Sequence, residues 1–175
     1  MPFQYQDLIH LFAQTFHAQY NTLLVCGEDE PIYLPAKAPH LAHRIIFAHG
    51  FYASALHEIS HWLVAGEKRR LIEDYGYWYE PDGRNAIQQK EFEKVEIVPQ
   101  AIEWALAVSC GFSFDVSVDN LNGASVDRFS FKKRVHTQVL HYLEFGFSAR
   151  TTQFLKACQA FYQREACQVE HFDYA

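Results

Sequence analysis

Residues 47–67 read FAHGFYASALHEISHWLVAGE, and inside them lies His57-Glu58-Ile59-Ser60-His61, an HExxH pattern. Two histidines four apart share one side of an α-helix, so both imidazoles can reach one ion. The flanks favour that helix. His49-Gly50 breaks the preceding apolar run, Ala53, Ala55 and Leu56 are good helix formers, and Gly66 fits a C-terminal cap. Leu56, Ile59, Leu63 and Val64 give the helix an apolar face beside its histidine face. The site is therefore expected at the edge of the core, shielded on one side and open on the other. The competing reading is an ordinary core helix with two half-buried histidines.

Upstream, Arg44–Ala48 is a short apolar run suited to a buried strand that feeds straight into the helix. Thr22–Val25 and Ile32–Leu34 read as further strands, separated by a polar turn holding Glu28, Asp29 and Glu30. Leu8, Leu11, Phe12 and Phe16 predict an amphipathic helix over 3–20. Downstream, Lys68, Arg69 and Arg70 oppose the negative end of the helix dipole. Residues 74–84, DYGYWYEPDGR, combine aromatics with carboxylates. Their ordinary reading is a strand covering the core. The sharper one makes Tyr75, Tyr77, Trp78 and Asp82 a wall that holds an ammonium group by cation–π contact and charge.

A long helix is expected over 88–110, with Pro99 as a kink or in an early turn. Glu93, Glu96, Gln100 and Glu103 make one stripe on it, and Ile102, Ala105, Leu106 and Ser109 make the opposite, buried one. Any glutamate of the first stripe can supply a third ligand to the histidine pair. Phe112–Val118 alternates and reads as a strand. A helix from Asp127 turns Phe131, Val135, Val139 and Tyr142 inward and ends at Gly146. His136 and His141 on it are five apart and read as structural. Ser148 caps a last helix, and the tail to Ala175 reads as polar and frayed. The expected architecture is one α+β domain over 1–175, with the HExxH helix packed on a small sheet and further helices around it.

The chain has 175 residues, of which 49% are hydrophobic and 16% aromatic, enough for a full core. Its 21 acidic and 15 basic side chains give a net charge of −6, which argues against a nucleic-acid surface and allows a cationic partner. Cys26, Cys110, Cys158 and Cys167 lie far apart, without a CxxC, as expected of reduced thiols in a cytoplasmic protein. The N-terminus lacks the pattern of a signal peptide. No uncharged apolar run reaches membrane-spanning length; the stretch near 97–114 is interrupted by Glu103.

HExxH alone points to a zinc hydrolase, peptidase or nuclease-like, with Glu58 as general base. Two histidines and a carboxylate equally form the facial triad of a non-haem iron oxygenase. A closed structural metal site is a third possibility. The segments EPIYLPA (30–36), RIIFAHGFYASALHEISHW (44–62), GYWYEPDGR (76–84) and VEIVPQAIEW (95–104) carry more than the motif does. Through them the chain resembles the bacterial elongation factor P hydroxylases over most of its length. The resemblance implies a zincin-like metal fold, related in shape to a bacterial metal-dependent ribonuclease. It implies hydroxylation of the β-lysylated lysine of translation elongation factor P. It also implies metal ligands at His57, His61 and Glu96. One divalent ion is then expected, Fe(II), with zinc as the alternative in isolated material. Glu58 would orient a ligand or a water. The ammonium-bearing side chain suits the acidic chain, the Glu28–Glu30 turn and the aromatic wall. No motif for anchoring a 2-oxoacid cosubstrate is recognisable.

Overall fold

The apolar spacing near the N-terminus does give a helix. α1 (Tyr5–Phe12) buries Leu8, Leu11 and Phe12 and continues through a π-helical turn at Ala13–His17 into α2 (Ala18–Tyr20). Asn21 ends it in the left-handed region, at φ 47°, which Asn tolerates better than most residues. This computed structural model describes residues 2–74 and 82–173.

Three strands follow, close to the expected bounds: β1 (Thr22–Cys26), β2 (Ile32–Leu34) and β3 (His43–Phe47). The sheet order is β1-β3-β2, with β1 parallel and β2 antiparallel to β3. Central β3 sends Ile45 and Phe47 into the core. Two consecutive left-handed residues, His49 and Gly50, then turn the chain from β3 into the HExxH helix, α3 (Tyr52–Val64). Gly50 is needed there, because at φ 64° a Cβ would also stand 3.1 Å from the Tyr5 ring.

α3 does not end on a glycine cap as expected. Ala65 takes the cap position with an extended ψ of 124°, and Gly66 keeps an ordinary φ. Two arginines satisfy the free carbonyls instead. Arg150 donates to the carbonyls of Trp62, Leu63 and Ala65 at 3.0, 3.2 and 2.7 Å, and Arg70 donates to Ala65 at 2.6 Å. Arg150 also lies 4.6 Å over the Trp62 ring. Of the basic run after Gly66, Arg70 thus meets the helix end by a direct hydrogen bond.

α4 (Ala86–Cys110) is the central post, packed on α3, α5 (Arg128–Phe145) and α6 (Ala149–Tyr162). Asn85 and Gln88 form its capping box. Pro99 sits inside it and has no N–H to donate to the carbonyl of Val95. Both of its long stripes are buried: Glu93, Glu96, Gln100 and Glu103 as well as Ile102, Ala105 and Leu106.

The segment after α4 corrects the expected strand at Phe112–Val118. Val116 and Val118 are buried in alternation, but among the described residues the segment joins no sheet. Its polar backbone is met by side chains of α4. Gln100 Nε2 donates to the Ser117 carbonyl at 2.7 Å, and Ser117 N–H donates to Gln100 Oε1 at 2.9 Å. Alternation reports one-sided burial, and a primary amide supplies the same donor and acceptor as a neighbouring strand. The tail is also corrected. Phe172 is 3% exposed, its ring lies 5.6 Å from Trp104, and its carbonyl accepts from His136 Nε2 at 2.9 Å. Ser148 caps α6 as expected, Asp127 caps α5 where that helix was expected to begin, and all four cysteines are free. Among the described residues no helix is long and apolar enough to cross a membrane.

Candidate metal centre

Helix α3 runs along α4, and the face it turns there carries its histidines. His57 and His61, one turn apart, bring their Nε2 atoms to 3.1 Å from each other. Glu96 of α4 completes the group: Oε1 lies 3.0 Å from His61 Nε2, and Oε2 lies 3.7 Å from His57 Nε2. These three ligand atoms lie within 4.8 Å of one another. Two neutral imidazoles and one carboxylate suit a divalent first-row ion and leave positions open for other ligands. The histidine side chains are 18% and 19% exposed, while Glu96 is 1% exposed. The group is thus walled by α4 and open above the histidines.

Sequence reasoning left Glu93, Glu96 and Glu103 as rivals for the third position. The geometry separates their partners. Glu93 pairs with Arg134 and accepts from Gln89. Glu103 Oε2 lies 2.7 Å from His57 Nδ1, on the far edge of that ring. Only Glu96 meets both Nε2 atoms, and Gln100 Nε2 steadies it with a 3.1 Å hydrogen bond to Oε2. The contacts of Gln100 and Glu103 were not foreseen. Their places on the stripe were visible, but the phase of α4 against α3 is set by packing across the whole core.

Charge follows the same arrangement. Burial works against a proton on His57, but Glu103, Glu96 and Glu58 outweigh it and push the imidazole up to about 10. Burial would raise the Glu96 carboxyl, but His61, His57 and the Gln100 amide hold it down at about 2. Glu58 is partly buried beside the pair, and no hydrogen bond from another described residue reaches its side chain. Burial raises its carboxyl, His57 and His61 oppose that, and Glu96 and Glu103 add to it.

Of the expected aromatic and acidic wall, Tyr75, Tyr77 and Trp78 lie outside the described residues. Asp82 is described. It is exposed, and it accepts from the Gly83 N–H at 2.7 Å and from Asn122 N–H and Nδ2 at 3.1 and 2.6 Å. Those bonds keep its carboxyl below the usual range. Glu28, Asp29 and Glu30 form an exposed bend between β1 and β2.

Residues 11–172 match the family model described as elongation factor P hydroxylase. Among curated proteins, the elongation factor P lysine hydroxylase of Haemophilus influenzae is 53% identical over 165 residues. That alignment covers 94% of this chain and 93% of the Haemophilus protein.

Proposed function

This chain belongs to the elongation factor P hydroxylase family, and we propose that it hydroxylates the β-lysylated lysine of elongation factor P through one divalent ion held by His57, His61 and Glu96. The observation that carries the reading is the convergence of three ligand atoms from α3 and α4 at the open edge of the core. The histidine helix resting on a small sheet supports a zincin-like arrangement within one domain over 1–175. Fe(II) is the proposed ion, because two imidazoles and a carboxylate are the donor set of non-haem iron oxygenases. When bound, it supplies vacant coordination positions and the oxygen-activating redox chemistry that hydroxylation of an unactivated carbon requires.

The remaining work falls to the chain's own groups. Glu96 contributes the anionic ligand and is fixed by Gln100. Glu58 orients a water or an incoming ligand from beside the pair, and hydroxylation gives it no obligatory proton transfer. Tyr75, Tyr77, Trp78 and Asp82 take the ammonium group of the modified lysine, with Asp82 already steadied by Asn122. The acidic balance of the chain favours such a cationic substrate and no direct contact with nucleic acid. The reaction is placed in the cytoplasm, where translation runs.

The test is the intact mass of β-lysylated elongation factor P after incubation with the protein, Fe(II), oxygen and a reductant. A gain of about 16 Da, one oxygen atom, on the modified lysine is expected. Cleavage products, or no mass change with a metal-loaded protein, would sink the reading. Glu58→Gln should keep the hydroxylase activity within about tenfold. A loss of several orders of magnitude would mark Glu58 as the general base of a hydrolase.

A further inference from the structure

We propose that Glu103 is the positioning residue of this metal centre, acting on the ion through the far nitrogen of His57. The inference rests on the reading of His57, His61 and Glu96 as the ligand set.

An imidazole has two nitrogens on opposite edges, and a neutral ring offers a lone pair at only one of them. In His57 the edges face different partners. Nε2 lies 3.1 Å from His61 Nε2 and 3.7 Å from Glu96 Oε2. Nδ1 lies 2.7 Å from Glu103 Oε2. The carboxylate accepts from Nδ1–H, so in the neutral ring that takes an ion the lone pair lies on Nε2, turned towards the ion. Without that acceptor the ring is free to hold its proton on Nε2, where it blocks the ligand position. A carboxylate that polarises the Nδ1–H bond also makes Nε2 a stronger donor.

Glu103 is held to this task. It is 8% exposed, and a buried carboxylate left without a donor is costly. It is not a fourth ligand, because its oxygen lies on the edge of His57 that faces away from Glu96 and His61. Along α4 it stands two turns beyond Glu96, roughly 10 Å of rise, so one helix supplies both the ligand and the group that orients a ligand of α3. The two histidines are thereby unequal. His61 makes both of its contacts through Nε2, and among the described residues nothing bonds its Nδ1. His57 is held at its far edge by a carboxylate.

Co(II) affinity of the metal-free protein, measured by competition with a chromophoric chelator, tests this. Glu103→Ala should weaken binding about 10- to 100-fold, the usual cost of losing an orienting partner. Glu103→Gln keeps an oxygen acceptor without the charge and should lose less, about three- to tenfold. Should the alanine variant not fold, the glutamine variant carries the test alone. His57→Ala and His61→Ala should bind no Co(II) in the same assay. Both Glu103 variants within about twofold of wild type, with the histidine variants empty, would overturn the role of Glu103 and leave the ligand set standing. Binding retained by the histidine variants would overturn the ligand set itself. A second readout separates positioning from mere stabilisation. In the Zn(II)-loaded protein, long-range proton–nitrogen NMR should find His57 with a slowly exchanging proton on Nδ1. That proton should exchange fast in Glu103→Ala, and an unchanged signal would overturn the proposal.

Discussion

In the first half of α4, Glu93 faces Arg134 and the Gln89 amide; one turn further on, Glu96 faces two imidazoles. Both carboxylates are buried, both lie on one stripe of one helix, and both accept a hydrogen bond from a glutamine four residues away. Upstream, the surroundings answer charge with permanent cations. Arg84, 1% exposed, donates to Gln89 Oε1 at 2.8 Å and to the Asp119 carbonyl at 2.7 Å, while its guanidinium rests 3.8 Å over the Phe92 ring. Gly123 closes that clasp, since a Cβ there would run into the Arg84 carbonyl oxygen. Downstream, the partners are histidines, which can give up a proton and accept an ion. A guanidinium stays protonated at any working pH, so the upstream half is a fixed ion pair and the downstream half an exchangeable one.

The sharpest way to break this contrast is to remove the exchangeable ligands. His61→Ala and Glu96→Gln should each cost more metal affinity than the 10- to 100-fold expected for an orienting group. Plasma emission measurements of metal per chain would check it. Full occupancy in either variant would dissolve the distinction between the halves.

Gln100 joins the two regimes, and its removal should have the next largest effect. It holds Glu96 with one bond and the irregular 112–120 segment with two. Gln100→Leu keeps the volume but leaves the Ser117 N–H and carbonyl without partners. At about 1–3 kcal/mol for each of these two groups, a loss of about 2–6 kcal/mol is expected in denaturant unfolding. A cost below about 1 kcal/mol would mean that water replaces the amide.

The pH response should differ between metal-free and loaded protein. His57 is raised to about 10 by its carboxylates, so in the metal-free protein it carries a proton at neutral pH. That pairing contributes stability present in full below the unfolded value of about 6.5. It is lost as pH rises towards about 10. An ion must displace the same proton. Its affinity should therefore rise about tenfold per pH unit through this window, with Glu96 anionic throughout because its carboxyl is held at about 2. Co(II) titrations in two buffers of different ionisation enthalpy should show about one proton released per ion near pH 7. Affinity independent of pH between 6 and 9 would contradict the pairing.

How much of this could be read in advance follows the same divide. The HExxH helix, the strand feeding it and the carboxylate stripe each leave a local period in the sequence, and all three stand where that period puts them. Glu96 itself was singled out only through resemblance to the family. Three expectations failed where a polar backbone had a choice of partner. Phe112–Val118 alternates like a strand but bonds to Gln100. The end of α3 takes Arg150, from far along the chain, in place of a glycine cap. The polar tail is pinned by Trp104 and His136 through Phe172. No periodicity encodes which distant side chain answers a free N–H or carbonyl. That is also why the partner of His57 Nδ1 could not be named before α4 was seen in phase with α3.

The smallest expected effect lies in the upstream half and tests its independence. Arg134 pairs with Glu93, but the arginine side chain is 48% exposed while the carboxylate is 12% exposed. A pair with one partner half in water is screened, so its Coulomb attraction is worth about 1 kcal/mol or less. Arg134→Ala leaves Glu93 with the Gln89 amide and with access to water through the space vacated. The loss should be about 0.5–1 kcal/mol, or about 1–4 °C in Tm for a chain of this size. Metal affinity should not change, because a guanidinium at Glu93 adds nothing to the positions of the two Nε2 atoms and Glu96. A drop of several degrees would show that Glu93 has no other adequate partner. A change in Co(II) affinity with Tm held would show that charge at Glu93 is felt one turn down the helix at Glu96. The stripe would then behave as one electrostatic unit, and the division into a fixed half and an exchangeable half would have to be given up.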